Sequence, residues 1–282
     1  MNKFRARLCL LAVLFFICHL HTNAQNIISG HIISENGNPI EYVSVWFQAD
    51  SVGTISDANG NFTLELKKPC KGNIELTHVS YNRTIVPYDV WYGKKTVTIK
   101  MNEKLVKLPE VSVSKENKER QITGAGMRGP GNIAFVVNKD IAEKKSVHHI
   151  LEVGPVFRTN KNYILSFFSM EVRASTFDKC TVNFNIYDIN DDKGTNILSR
   201  PIYYELKKNV NKQTIKIYPR EEIQLKKDHR YWISVRVVNC TSYGNIILPT
   251  HLKSNYFRNV NSGKKKHYPG GLGIDVYGYV TK

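Results

Sequence analysis

The sequence is short of acid, of cysteine and of long apolar runs, and each shortage removes a class of protein. Asp and Glu number 24 against 40 Lys and Arg, a formal net charge of +16. That balance disfavours cationic partners and favours anionic ones, such as acidic glycan, lipid headgroups or nucleic acid. Of five cysteines, two fall in the first 24 residues, leaving Cys70, Cys180 and Cys240. Their spacing fits neither a zinc site nor a redox Cys-x-x-Cys pair. Beyond residue 24 no stretch holds 18 uninterrupted apolar residues, which excludes a membrane-spanning helix there. No Ser, His and Asp set at a recognisable spacing announces a catalytic triad.

What is present begins with an export signal. Lys3, Arg5 and Arg7 form a basic start, Leu8 to Leu20 an apolar run too short to span a bilayer, and Ala24 a cleavage position before Gln25. Cys18 follows Ile17, where a lipoprotein signal carries a small residue. Residues 1–24 are therefore expected to direct the chain to the periplasm or outer-membrane surface. Three basic residues and no acidic one lie in that segment, so the remaining 258 residues carry +13. That length predicts two cores. Export makes envelope glycan, lipid or another envelope protein the expected partner, and nucleic acid an unexpected one. It also permits a disulfide. Cys180 begins one predicted strand and Cys240 follows the end of another, so the two are expected to pair if those strands are antiparallel neighbours, leaving Cys70 free.

From Asn26 to Met101 short strands alternate with turns. Glu35-Asn36-Gly37-Asn38-Pro39 and Asp57-Ala58-Asn59-Gly60 are turn sequences. Tyr42 to Phe47 is rich in β-branched and aromatic residues. Phe62, Leu64 and Leu66 alternate with polar residues, as do Ile74 and Leu76, and Val97, Ile99 and Met101. Turns every ten or so residues without a helical period predict a β-sandwich.

The same positions carry a family pattern: Gly30, then Gly37-Asn38-Pro39-Ile40, Val43-Ser44-Val45, and Gly53-Thr54-Ile55-Ser56-Asp57-Ala58-Asn59-Gly60-Asn61-Phe62. Thr77-His78-Val79-Ser80-Tyr81 and the exit Leu108-Pro109-Glu110-Val111-Ser112-Val113 follow. This resembles the carboxypeptidase-regulatory-like domain, which implies a transthyretin-like β-sandwich over residues 25–113. Ser80 stands where that family has Gly. In Gram-negative bacteria such a domain often precedes a TonB-dependent receptor, but the residues after Val113 are too few for a 22-stranded barrel.

Residues 114–131 read as a linker, charged from Lys115 to Arg120 and Gly/Pro-rich from Gly124 to Gly131. The glycines lack the strand, helix and Lys-Ser/Thr of a phosphate loop. Residues 132–282 predict about eight strands: Ile133 to Val137, Tyr163 to Arg173, Thr181 to Tyr187, Ile202 to Leu206, Thr214 to Tyr218, Tyr231 to Val238, Ile246 to Leu248 and Ile274 to Val280. The fold class expected is thus all-β: a transthyretin-like sandwich followed by a second antiparallel sandwich of jelly-roll type. Ile223 to Trp232 is similar to the entry of a late strand in galactose-binding-like jelly rolls. A small outer-membrane barrel also fits the strand count, although Lys264-Lys265-Lys266 sits poorly on a lipid face.

Residues with chemical capacity are few. Asp188, Asn190 and Asp192 crowd a loop closed by Gly194, an oxygen-rich set that suits calcium. The order is not that of an EF-hand, and Asp, Asn and Gly are ordinary turn residues, so a turn is expected and calcium is the alternative. No other cofactor is expected. His148 and His149 would point to opposite faces of a strand. His229 and His251 have no carboxylate at a recognisable spacing, and Glu221-Glu222 reads as an exposed bend. Lys264, Lys265 and Lys266, beside Tyr268, form a basic segment suited to an anionic surface. The reading is a non-enzymatic exported binding or structural module of the bacterial cell envelope. The alternative is a carbohydrate-binding accessory protein of a glycan-utilisation system, binding through exposed Tyr and Trp.

Overall fold

The computed structural model describes residues 27–66, 68, 70–105, 118–137, 151–190, 194–260 and 263–281. The expected signal segment, Leu108 to Val113, His148-His149 and Asp192 lie outside the described residues. Among those described, no helix is long and apolar enough to cross a membrane.

Seven strands build the first unit: β1 (Ile27–Ser34), β2 (Ser44–Phe47), β3 (Val52–Ile55), β4 (Asn61–Glu65), β5 (Ile74–His78), β6 (Tyr81–Val86) and β7 (Val97–Met101). They form two sheets, β4-β1-β7 and β3-β2-β5-β6. Alternation sets the inward faces. Ile32, Val45, Phe47, Leu64, Ile74, Leu76 and Met101 are all buried in one core. Burying each such side chain contributes about 1.5–3 kcal/mol.

The motif positions have physical jobs. Gly30 lies opposite Phe62, and a side chain there would strike the Phe62 ring. The Asp57 carboxylate accepts the N–H groups of Asn59 and Asn61, both at 2.8 Å. Gly60 closes that turn at φ +77°, a conformation that costs glycine little. The buried Ser56 hydroxyl accepts from Val43 N–H and donates to Ile40 C=O. Ser80 replaces the family's Gly without strain because its φ is not positive, and its N–H donates to His78 Nδ1 at 3.2 Å.

The second unit is larger than the eight strands expected. Its strands are β8 (Arg120–Thr123), β9 (Met127–Val137), β10 (Leu151–Arg158), β11 (Tyr163–Ser175), β12 (Lys179–Asp188), β13 (Thr195–Asn196), β14 (Ile202–Lys207) and β15 (Val210–Ile217). They continue with β16 (Gln224–Leu225), β17 (Arg230–Cys240), β18 (Gly244–Leu252), β19 (Asn255–Asn259), β20 (Lys265–Tyr268), β21 (Gly271–Leu272) and β22 (Asp275–Val280). A seven-stranded sheet runs β13-β12-β17-β10-β19-β20, with β14 also on β12. An eight-stranded sheet runs β21-β18-β11-β22-β8, with β15 and β16 on β11 and β9 on β18. Phe168, Val172, Phe184, Ile233, Val235 and Val276 fill the core of this unit. The described strands make two open sheets around that core, not the single closed sheet of an outer-membrane barrel.

Much of the expected linker is sheet. Arg120–Thr123 pairs with β22, and Met127–Val137 pairs with β18 from Leu252 to Gly244. Gly129, Pro130 and Gly131 are tolerated because the ladder is interrupted between Pro249 and His251. Gly131 N–H is instead taken by the Thr250 hydroxyl at 3.1 Å.

Candidate functional site

The two units meet through the outer faces of two sheets. On the first, Ser44 and Trp46 of β2 stand beside Thr77 and Glu75 of β5, register partners in that order. On the second, Asn183, Asn185 and Tyr187 of β12 alternate outward from the core and pair with Arg236, Ser234 and Trp232 of β17. Arg236 bridges the units. It donates through Nη1 to Ser44 Oγ at 3.0 Å and through Nε to Asn183 Oδ1 at 3.1 Å. Tyr42 takes an uncommon left-handed φ of +54° and sets its buried ring edge-on to Tyr203, 5.1 Å away. Val79 packs against the second core.

Beneath Arg236 lies a buried ionic layer. Glu152 of β10 is fully buried. It accepts hydrogen bonds from Ser234 (2.6 Å), Asn185 (2.9 Å), Tyr187 (3.2 Å) and Arg258 Nε (2.9 Å), with a second donor from Arg258 Nη2. Burial alone would raise the Glu152 pKa. The Arg258 and Arg236 charges and the bonds from Ser234 and Arg258 outweigh it and hold the carboxylate below its ordinary value. Burial and Glu152 push Tyr187 up to about 12. The Arg258 guanidinium lies over the rings of Tyr187 (4.7 Å) and Trp232 (5.1 Å), a desolvated cation–π stack.

Two clefts flank the contact, and His78 and Lys104 line both. The larger, about 860 Å³, is mixed in charge: Glu41, Glu103, Glu221 and Glu222 face Arg200 and Arg220 as well. Glu221 lies in the expected bend and Glu222 is exposed, but Glu221 is half-buried, because it accepts the N–H groups of Ser199 and Arg200, both at 3.0 Å. The smaller, about 460 Å³, is cationic. Lys104, Arg236 and Arg258 line it with one acid, Glu75. Glu75 is held by Arg83 through two bonds of 2.6 Å, and Arg258 is held by Glu152. Arg236 and Lys104 contact only neutral groups among the described residues. Lys104 Nζ donates to the carbonyls of Val79 (2.9 Å) and His78 (3.3 Å), and burial lowers its pKa. Burial, then Arg236 and Lys104, lower the His78 pKa to about 4. Since His78 Nδ1 accepts from Ser80, the ring proton is on Nε2, a buried atom with no partner.

The residues singled out in the sequence lie elsewhere. Asp188 ends β12 and Asn190 follows in the loop, but Asp188 accepts from His229 Nδ1 at 2.6 Å, giving that histidine the carboxylate its spacing did not reveal. Asn190 Oδ1 takes Arg230 N–H at 3.1 Å. The pair ties two strand ends together. Among the described residues no cluster of three or more His, Cys, Asp or Glu could hold a metal. Lys265 and Lys266 lie on β20, the outer edge of the seven-stranded sheet, with Lys264 just before it, and all three are exposed. Lysines on an edge strand also stop it from pairing with a foreign strand. Cys180 and Cys240 are brought together, their sulfurs 2.9 Å apart.

These features define a chain of two β-sandwiches joined through a polar, positively charged interface. The first sandwich is a carboxypeptidase-regulatory-like domain: residues 28–113 match the CarboxypepD_reg-like domain family. None of the curated proteins matches the chain. Among solved structures it is similar to the cysteine protease and lectin-like domains of Cwp84, a surface layer associated protein of Clostridium difficile. Identity is 12% and the TM-score 0.35, over 86% of this chain and 59% of that one. It is also similar to the VP2 subviral particle of infectious bursal disease virus, at 9% identity and TM-score 0.26, over 86% of this chain and 62% of that one. The chain therefore spans less than two thirds of either. Such slight likenesses carry no argument about function.

Proposed function

We propose that this chain is an exported, non-enzymatic binding module of the bacterial cell envelope that engages anionic envelope glycan or lipid. The observation behind this reading is positive charge, placed between the sandwiches and on an exposed edge. Arg236 and Lys104 meet only neutral described partners between the sandwiches, and Lys264, Lys265 and Lys266 stand exposed on a sheet edge. The first sandwich acts as a rigid shoulder for the second. Export rests on the N-terminal basic and apolar pattern of the sequence.

The test is retention on an immobilised acidic polysaccharide across a salt series, for the wild type and a Lys264/Lys265/Lys266→Ala variant. Exposed charges act over about 8 Å at physiological salt, so retention falls as salt rises and is weaker in the variant. No retention of the wild type at low salt overturns the proposal.

A further inference from the structure

The cationic cleft has more than charge. One wall is the outer face of the β3-β2-β5-β6 sheet. The β2 pattern, with Val45 and Phe47 buried, turns Trp46 and Ser44 outward, and Trp46 is only half-buried. Across the strand pair stand the exposed Thr77 and the Arg83-held Glu75. The other wall carries Arg236, fixed by Asn183 and Ser44. The walls therefore present an indole, a hydroxyl-bearing strand pair and a guanidinium with donors to spare around about 460 Å³. A guanidinium suits planar or tetrahedral anions, and an indole offers a large apolar face.

Those requirements coincide in one ligand class. A sugar ring has an apolar C–H face for an indole and hydroxyls for Thr77 and Ser44. An acidic substituent supplies an anion that Arg236 and Lys104 can bond directly, as none of their described hydrogen-bond partners is acidic. A simple inorganic anion leaves Trp46 unused, and a neutral sugar leaves two cations unmatched. We propose that this interdomain cleft is a binding site for an anionic saccharide, one bearing a carboxylate or an ester sulfate or phosphate. Arg236 and Lys104 take the anionic group and Trp46 the ring. The proposal rests on the anionic-partner reading above and gives it a specific site.

The experiment is calorimetric titration of the full chain with oligosaccharides of equal length: uronate-bearing, sulfated, phosphorylated and neutral. Binding is expected for at least one acidic member and none for the neutral one. Arg236→Ala and Trp46→Ala are each expected to weaken it at least tenfold. Arg236 also bridges the units, so a variant that spares the bridge is needed. Thr77→Glu changes an exposed residue, sets a carboxylate in the cleft, and is expected to abolish binding while the thermal melt stays close to that of the wild type. Equal binding of the neutral sugar, or wild-type affinity in folded Trp46→Ala and Thr77→Glu, overturns the site. Retention on the acidic matrix with no oligosaccharide binding overturns the site and leaves the charge reading standing. Loss of both overturns both.

Discussion

Cys180 on β12 faces Cys240 on β17 as a register partner across an antiparallel pair, with the two sulfurs 2.9 Å apart. Both are thiols in this structure. The hydrogen bond from Cys240, with burial, raises the Cys180 pKa and disfavours its thiolate. Thr241 N–H donates to Lys179 C=O at 3.0 Å, so the cysteines occupy a non-hydrogen-bonded position. Such Cα atoms lie about 4.5 Å apart, within disulfide range. Oxidation should therefore close this pair without moving the backbone. The 60-residue separation makes the cross-link worth about 4 kcal/mol in the chain-entropy model. Non-reducing peptide mapping of oxidised protein is expected to find Cys180 joined to Cys240 and Cys70 free. A Cys70 cross-link, or three free thiols, would contradict it.

Glu152→Ala removes the acceptor for Arg258, Ser234, Asn185 and Tyr187 at once. It leaves the half-buried Arg258 guanidinium without its carboxylate, a loss of at most about 3–5 kcal/mol. Denaturant unfolding should show a lower midpoint with an unchanged slope. The double variant Glu152→Leu/Arg258→Met, which removes both charges, is expected to recover most of the loss. A double variant as unstable as Glu152→Ala would mean that the layer's hydrogen bonds, not its charge balance, carry the stability.

His78 makes the interface acid-sensitive. Its folded pKa is about 4 against an ordinary 6.5. Between those values the unfolded chain binds a proton and the native one does not. Stability is thus complete above pH 6.5 and declines as pH falls toward 4, by at most about 3 kcal/mol. His78→Gln should flatten that slope. Urea midpoints measured from pH 7 to 4 check it, and parallel slopes in both proteins would remove His78 as the cause.

The first sandwich was largely legible because its information is local. Gly30, Ser56, Asp57, Gly60 and Phe62 each act on a turn or strand pair within a few dozen residues. The site was not legible. Glu152 and Arg258 are 106 residues apart, and Arg236 and Ser44 are 192 apart. No spacing rule links them, because only sheet pairing brings them together. A partial signal existed in the polar Asn183 and Asn185 alternating with the apolar Val182, Phe184 and Ile186 of β12. It marked an outward face that nonetheless proved buried. The same limit hid the strands from Arg120 to Gly131. Their Gly and Pro content argues for a linker, and only pairing with β18 and β22 holds them extended.

Gly154 sits mid-way along β10, between β17 and β19. A Cβ there would run into the Ile233 carbonyl and lie 2.7 Å from Ser234 Cα. Gly154→Ala is expected to destabilise the fold by about 1–3 kcal/mol. Gly131→Ala, whose nearest neighbour would be Thr250 Oγ1 at 3.4 Å, should change it by less than about 0.5 kcal/mol. Thermal melts of both variants compare the two sites, and a silent Gly154→Ala would show that β10 can shift.

The pairing of β1 with β7 is parallel, from Gly30 with Val97 to Ser34 with Met101. A pull on the chain at Ile27, opposed by one at Met101, runs along these two strands in opposite senses. It stretches every bond of the ladder together instead of opening them one by one from an end. Shear of this kind needs far more force than peeling, so the first sandwich is suited to carry tension between whatever holds its two ends.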